Sequence, residues 1–193
     1  MFVSSAMNMA SRFLTAEMEL GGRRLRPELW TCVVTSADLA GNRNKLAERA
    51  LEWGADFILW ADADHVFPDH ALIRLFSLNL PVVGCNYPTR VPPLLPTALG
   101  LDGRPVVTTE ALARQGKVER VASLGLGFLL MRADLLARLE RPWFAFADGL
   151  SEDRRFCRML TEAGVPIHVD HSLSWEIGHV GAQTFTNADA VLP

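Results

Sequence analysis

Short runs of apolar residues alternate with helical patterns in the first half of the chain. Apolar runs cover residues 29–34, 57–60 and 81–85, a helical pattern covers 42–53, and Pro68 opens a further helix. Strands that are buried on both faces read as uninterrupted apolar runs. Strands that alternate with helices favour a sheet with helices packed on both of its faces. We therefore expect an α/β fold with a mostly parallel central sheet flanked by helices.

The second half of the chain has a less regular pattern. Prolines concentrated between residues 88 and 96 predict an irregular loop. Glycines within residues 98–121 indicate short hairpin strands. The apolar run 127–131 predicts a buried strand, residues 151–163 a helix and 167–169 a last strand.

The length of the chain limits its organisation. A sequence of 193 residues suits one domain with a substantial core. We divide this domain into a first half of about residues 1–86, a second half of about 87–181 and a polar tail at 182–193. The tail is expected to be loosely held. An amphipathic helix is predicted at residues 2–20.

Charge and composition exclude several classes of protein. The formal net charge of −3 argues against a nucleic-acid-binding protein. No apolar run reaches the roughly 18–20 residues that a membrane-spanning helix needs. The three cysteines, Cys32, Cys85 and Cys157, are widely spaced and form no CxxC pair. Free thiols are typical of a reducing cytosol, so we expect a cytoplasmic protein without disulfide bonds.

Two acidic residues follow the apolar run at 57–60. Residues i and i+2 of an extended chain project to the same side, so Asp62 and Asp64 are expected to point together from the end of a strand. Ligands of open α/β sheets bind at that edge, and paired carboxylates suit Mg²⁺ or Mn²⁺. The alternative is that both acids cap the helix that begins near Pro68. An EF-hand is excluded, because its glycine and spaced acidic ligands are absent.

A second acidic pair, Glu152 and Asp153, lies at the predicted start of a helix. Ser151 before it is a good N-cap, and acids in a first turn stabilise a helix through its dipole. That structural role could account for the pair. Their spacing from Phe156 nevertheless directs both carboxylates toward the buried face of the helix. A carboxylate that reaches a cleft in this way can deprotonate an acceptor hydroxyl.

The late segment 178–181, Gly-His-Val-Gly, is the third candidate feature. Its glycines allow the backbone to approach a ligand closely, and the neutral imidazole of His179 would be a good ligand for a transition metal. The alternative is a structural histidine. The remaining histidines are interpreted as structural or surface residues: His168 and His171 as structural, His65 and His70 as exposed.

Several of these features together resemble the GT-A glycosyltransferases, the fold shared with family 2. In that family an Arg-Asn pair often opens a helix, and an apolar strand and an acidic metal motif follow. Arg43-Asn44 and the pair Asp62 and Asp64 match in order and spacing. The resemblance covers about residues 31–181. It also implies that this chain lacks the first strand of the fold and its contacts to the nucleotide base.

The second half of the chain carries three further matches. LGLGFLLMRADLL, which contains Gly125 and Gly127, resembles the segment where a glycine-rich turn enters a strand near the acceptor. SEDRRFCRMLTEAGV resembles the Glu-Asp helix of the family, and GHVG resembles its late metal-binding histidine. The resemblance places Gly125 and Gly127 on the acceptor side. Trp175 could stack on a sugar there, with core packing as its alternative.

The resemblance implies metal-dependent transfer of a sugar from a nucleotide-sugar donor to a glycan, protein or small-molecule acceptor. Asp62, Asp64 and His179 would form the metal site for Mn²⁺ or Mg²⁺, with Asp62 reaching the donor ribose or a metal-bound water. Arg43 and Asn44 would contact the donor.

On the acceptor side, Asp153, with Glu152 beside it, would act as the general base if the anomeric centre is inverted. If the centre is retained, the pair would position the acceptor or stabilise the oxocarbenium-like centre. Two other functions remain open: a nucleotidyltransferase on a similar sheet, and a non-catalytic module that binds nucleotide-sugar or carbohydrate. A nucleotidyltransferase usually has a glycine-rich basic loop after its first strand, and none is visible here.

Overall fold

The fold is a mixed α/β structure in a computed structural model that describes residues 1–20, 23–182 and 184–190. Its helices are α1 (Phe2–Thr15), α2 (Leu39–Trp53), α3 (Ala71–Ser77), α4 (Glu110–Arg114), α5 (Glu152–Glu162) and α6 (His171–Glu176). Its strands are β1 (Met18–Leu20), β2 (Arg23–Leu25), β3 (Phe57–Ala61), β4 (His65–Val66), β5 (Val82–Gly84), β6 (Val118–Val121), β7 (Phe128–Arg132), β8 (Ile167–Asp170), β9 (Gly178–Val180) and β10 (Thr184–Phe185). Short 3₁₀ helices cover Ala133–Arg138 and Asn187–Asp189.

The central sheet contains five strands in the order β3-β7-β5-β8-β6. Strand β7 is antiparallel to both of its neighbours, β3 and β5. Strand β5 is parallel to β8, which is antiparallel to β6. The prediction of a mostly parallel sheet is therefore wrong for the hydrogen-bonded pairs. Strands β3, β5 and β8 do run in one direction, but β7 from the second half of the chain is inserted between the first two.

Helices pack on both faces of this sheet, as predicted. Residues of β7 alternate between the two faces: Leu129 and Met131 lie in one core cluster, and Phe128 and Leu130 in the other. The first cluster contains buried residues of α2 and α5, including Ala47, Ala50, Phe156 and Leu160. The second contains buried residues of α1 and α3, including Met9, Phe13, Leu72 and Leu75.

Local sequence signals account for both ends of helix α2. The Asp38 side chain accepts a hydrogen bond of 2.9 Å from the amide of Gly41, which caps the start of the helix. Gly54 ends it with a φ of 82°, a left-handed conformation that favours glycine. Strand β3 begins soon afterwards, so the cap and the turn together fix the direction from which the chain enters the sheet.

Three local predictions were wrong. Residues 29–34 form no strand: Val33 is 76% exposed, and Trp30 stacks on Trp53 of α2. Residues 98–121 contain helix α4 and strand β6 rather than hairpin strands alone. Residues 184–190 of the tail are held in place, because Phe185 is buried and Asn187 donates hydrogen bonds to the carbonyls of Asn86 and Ser174.

A second, three-stranded sheet has the order β10-β9-β4. It joins the segment just after β3 to the late part of the chain. All three cysteines are free, and Cys85 and Cys157 are buried, as expected. Among the described helices, none is both long and apolar enough to cross a lipid bilayer.

Candidate functional site

The candidate site lies where β3 ends and β7 begins. Ala61 pairs with Phe128 at this end of the sheet, and the amide of Asp62 donates to the carbonyl of Gly127 at 2.9 Å. A tight turn follows, in which the amide of His65 donates to the carbonyl of Asp62 at 3.2 Å. This turn ends the extended geometry on which the paired-carboxylate prediction depended. Asp62 and Asp64 therefore have separate sets of partners.

Asp64 meets His179, as the resemblance implied. Strands β4 and β9 pair in antiparallel register, and the amide of Val180 donates to the carbonyl of Asp64 at 2.7 Å. This pairing places Nε2 of His179 at 3.5 Å from Oδ2 of Asp64. On the other side of the ring, Nδ1 of His179 lies 2.8 Å from the carbonyl oxygen of Pro88. Since a carbonyl only accepts, Nδ1 is the donor of this contact, and Nε2 is the ring nitrogen that faces Asp64.

His65 is the functional residue that the sequence reasoning missed. It was expected at the surface, but it is only 1% exposed. Its Nδ1 lies 3.2 Å from Oδ1 of Asp64, and its ring stacks on His179 with centroids 4.4 Å apart. No local pattern could have revealed it, because apolar Val66 separates His65 from Phe67 and the sequence therefore shows no alternation, although His65 and Phe67 are both buried and Val66 is less so.

The side chains of Asp64, His65 and His179 lie close enough together to hold a divalent cation, and their geometry gives them different roles. One potential ligand atom each from Asp64, His65 and His179 lies within 4.8 Å of the others. A histidine lone pair lies in the plane of its ring, and these two rings are stacked at an angle of 15°. Two stacked, nearly parallel rings cannot both direct lone pairs at one ion. Asp64 and His179 are thus the better ligand pair, and His65 orients Asp64 through Nδ1.

Electrostatics favour the charged form of Asp64. Hydrogen bonding from His179, and then from His65, holds the pKa of Asp64 well below its usual range although the group is partly buried. The guanidinium of Arg90 also contacts this carboxylate, with Nη1 2.7 Å from Oδ2 of Asp64. A carboxylate beside an imidazole nitrogen is a donor set that can hold a divalent transition-metal cation such as Mn²⁺.

Asp62 is held by Arg43 and lies outside this cluster. Nη2 of Arg43 is 3.1 Å from both carboxylate oxygens of Asp62, and Nε is 3.3 Å from Oε1 of Glu152. Within the described residues, the three-residue ligand cluster consists of Asp64, His65 and His179 and does not include Asp62. The predicted contact of Asp62 with the donor ribose or a metal-bound water stays a prediction. Arg43 is buried between the two carboxylates, so its guanidinium already has partners, and its predicted contact with the donor stays a prediction. Both residues still lie at the same edge as Asp64.

Glu152 is buried, whereas Asp153 beside it is partly exposed. Burial, and then repulsion from Asp153, raises the pKa of Glu152 despite its contact with Arg43. Glu152 is thus a support for Arg43 rather than a base open to substrate. Oδ1 of Asp153 accepts hydrogen bonds from the Ser151 hydroxyl and from the amide of Arg154. Ser151 therefore occupies the N-cap position without capping the helix through its side chain.

The two glycines make room for side chains of this site. A Cβ on Gly127 would lie 2.4 Å from Cε1 of His65 and 2.5 Å from the Tyr87 hydroxyl, and one on Gly125 would lie 2.3 Å from that hydroxyl. The amide of Gly127 donates to the Tyr87 hydroxyl at 2.7 Å. Burial raises the pKa of Tyr87, and the charges of Asp62 and Asp153 raise it further. The Tyr87 hydroxyl therefore occupies the space that the absent side chains of Gly125 and Gly127 leave open.

Asn44 and Trp175 lie apart from this cluster of charges. The Asn44 side chain donates to the carbonyl of Phe144 at 2.7 Å and accepts from its amide at 3.2 Å, so it fixes the loop before α5. Trp175 is half-buried on α6, and the described residues give it no hydrogen bond to the other predicted site residues. A separate open depression of about 570 Å³ lies around Gly100 and Arg120 and contains none of the predicted site residues.

Comparisons with known proteins add one finding about the fold. No protein-family model matches the chain, and no curated protein matches it. A solved structure shares its fold. This is A197 from STIV, which is 17% identical and aligns with a TM-score of 0.58 over 81% of this chain and 76% of A197. At that identity the similarity concerns the fold alone.

Proposed function

We propose that this chain transfers a sugar from a nucleotide-sugar donor to an acceptor, with a divalent cation held by Asp64 and His179. The observation that carries this proposal is the 3.5 Å approach of Nε2 of His179 to Oδ2 of Asp64. The two residues were paired by motifs that lie far apart in the sequence. Their proximity at the end of β3 supports a common role in binding a cation.

The facing groups also favour a cation on physical grounds. A carboxylate and an imidazole lone pair repel each other unless a proton or a metal ion lies between them. The Pro88 carbonyl fixes the proton on Nδ1 of His179, and this leaves Nε2 free to ligate. A bound divalent cation would neutralise the charge that develops on the diphosphate as it leaves.

The remaining residues of the site have distinct parts in this proposal. Arg43 and Glu152 fix the carboxylate of Asp62, which is about one-third exposed and can accept a hydrogen bond from the donor ribose. Asp153 is the proposed general base for an acceptor hydroxyl in an inverting reaction, because it is partly exposed and lies beside the same edge. In a retaining reaction it would position the acceptor.

The decisive experiment measures turnover and binding in the same preparations. The protein is incubated with a panel of nucleotide-sugars and Mn²⁺, and release of free nucleoside diphosphate is measured. We expect release that is lost with chelator, in Asp64→Asn and in His179→Ala, and kept in the control Asp134→Asn, an exposed acid that pairs with Arg132.

Other outcomes separate the alternatives. Metal-dependent binding of nucleoside diphosphate without turnover, in the presence of varied acceptors, would indicate a binding module. Release of pyrophosphate from nucleoside triphosphates would indicate a nucleotidyltransferase. Binding that is equal with and without chelator, in wild type and in Asp64→Asn, would overturn the metal site itself.

A further inference from the structure

Arg90 is a charged residue of the site that no motif pointed to. It lies at the start of the proline-rich loop, and its side chain is 51% exposed. Its Nη1 is 2.7 Å from Oδ2 of Asp64, the same oxygen that faces His179. Gly181 lies against it, since a Cβ there would be 3.4 Å from both the Cβ and the carbonyl oxygen of Arg90. Arg90 thus sits between the two segments that supply the proposed metal ligands.

The backbone just before Arg90 is anchored. The carbonyl of Pro88 accepts from His179, and the amide of Thr89 donates to the carbonyl of Leu95 at 2.9 Å. The Thr89 hydroxyl in turn donates to the carbonyl of Pro93 at 3.1 Å. The base of the Arg90 side chain is therefore fixed at the site, while its long, half-exposed stem leaves the guanidinium free to change partner.

A guanidinium and a divalent cation compete for the same oxygen of Asp64. A cation would bind at roughly 2.0–2.2 Å from Oδ2, beside the present position of the guanidinium. Two positive groups at that separation repel strongly in a partly buried site. The guanidinium must then move away from Asp64, and its fixed base keeps it within reach of anions that accompany the cation.

We propose that Arg90 is a diphosphate-binding residue, which pairs with Asp64 until a divalent cation takes its place and then binds phosphate oxygens of the donor. This inference rests on the proposed function, because it requires a nucleoside diphosphate group at the cation. The planar guanidinium suits the task, since it can bind two phosphate oxygens at once. The exchange couples the two ligands: the cation releases Arg90, and Arg90 then strengthens binding of the diphosphate.

The test uses calorimetry on the full chain with two probes in turn. The first is Mn²⁺ alone; the second is a panel of UDP, GDP, ADP, CDP and dTDP in saturating Mn²⁺. For Arg90→Ala we expect opposite changes: affinity for Mn²⁺ alone increases several-fold, and affinity for the best diphosphate decreases about tenfold or more. Arg90→Lys keeps the charge without the planar fork and should give an intermediate loss for the diphosphate.

A matched control and the contrary outcomes complete the test. Arg132 is 52% exposed and pairs with Asp134 at 2.8 Å, so Arg132→Ala removes a similar ion pair and should change neither affinity. Unchanged diphosphate affinity in Arg90→Ala, while Asp64→Asn abolishes binding, would overturn this inference and leave the proposed function intact. A wild-type chain that binds neither Mn²⁺ nor any diphosphate would overturn both.

Discussion

Nε of Arg43 lies 3.3 Å from Oε1 of Glu152, and the two side chains are only 6% and 5% exposed. The same guanidinium contacts both oxygens of Asp62. One buried cation therefore links α2, α5 and the end of β3. The link fixes the direction of Asp62 at the site.

Removing Arg43 should destabilise the fold because it leaves the Glu152 carboxylate buried without its partner. We expect Arg43→Met to lower the free energy of unfolding by about 3–5 kcal/mol. The double variant Arg43→Met/Glu152→Gln should recover part of that loss. Denaturant unfolding measures both; a double variant as unstable as the single one would show that packing, not the unpaired charge, sets the effect.

His65 should act through its Nδ1 atom, and two substitutions distinguish the ring nitrogens. An asparagine amide nitrogen can take roughly the place of Nδ1, whereas a glutamine amide nitrogen takes roughly that of Nε2. His65→Gln should therefore weaken Mn²⁺ binding about 10-fold or more, as expected for loss of a group that orients a ligand, and His65→Asn should weaken it less. Calorimetric titration with Mn²⁺ measures the order. The reverse order would make Nε2 of His65 a metal ligand.

Asp153 should matter to the reaction rate far more than to folding. As an acid in a first helical turn it contributes only about 0.3–1 kcal/mol through the helix dipole. Loss of a general base costs on the order of 10²–10⁴ in rate. Asp153→Asn should thus melt near the wild-type temperature and lose most turnover. A large fall in melting temperature with near-normal turnover would assign Asp153 to helix stability alone.

Gly127→Ala should disturb both stability and metal binding. Its new Cβ would lie 2.4 Å from Cε1 of His65 and 2.5 Å from the Tyr87 hydroxyl, so buried groups must shift. Overpacking of this kind costs about 1–3 kcal/mol, and Mn²⁺ affinity should fall as His65 moves. Gly100→Ala is the control, because its nearest neighbour is a carboxylate oxygen of the exposed Asp102. Equal melting temperatures for the two variants would contradict the packing seen at Gly127.

His171 should make stability depend on pH. Burial lowers the pKa of His171 despite the charge of Glu119, and its Nδ1 lies 2.9 Å from the Thr108 hydroxyl. The unfolded chain therefore binds a proton at His171 more readily than the folded chain does. The contribution of His171 to folding stability is complete above about pH 6.5, and it is lost as the pH falls toward the lower pKa of the folded state. We expect the melting temperature of wild type to fall between pH 7.5 and 5.5, and less steeply in His171→Asn. Equal slopes for wild type and His171→Asn would show that His171 does not set this pH dependence.

The sequence predicted the buried strands well because such strands leave uninterrupted apolar runs. The run at 57–60 became β3, yet the equally apolar run at 29–34 is not a strand. Local composition does not show whether a neighbouring strand is available for the segment to pair with. The strand at 127–131 was predicted from its apolar run, but its antiparallel position between β3 and β5 was not predicted. Strand direction depends on long connections whose course no local pattern fixes.

The candidate site was likewise predicted only in part from the sequence. The order of the motifs led us to expect Asp64 near His179, and the two side chains do lie 3.5 Å apart, while their role as metal ligands stays a prediction. The partners of Asp62 and Asp64 could not be predicted, since a turn of the chain separates the two carboxylates. Arg90 reaches Asp64 from a proline-rich loop, and its contact depends on tertiary packing alone.

The pairing of β4 with β9 also sets the order in which the site can be assembled. During synthesis His65 is made long before His179, by an interval on the order of ten seconds at ordinary translation rates. The register that places His179 against Asp64 cannot form until β9 has emerged. The nascent chain thus lacks one of the two proposed ligands until residue 179 has been made, and the proposed metal site can form only after β9 has paired with β4.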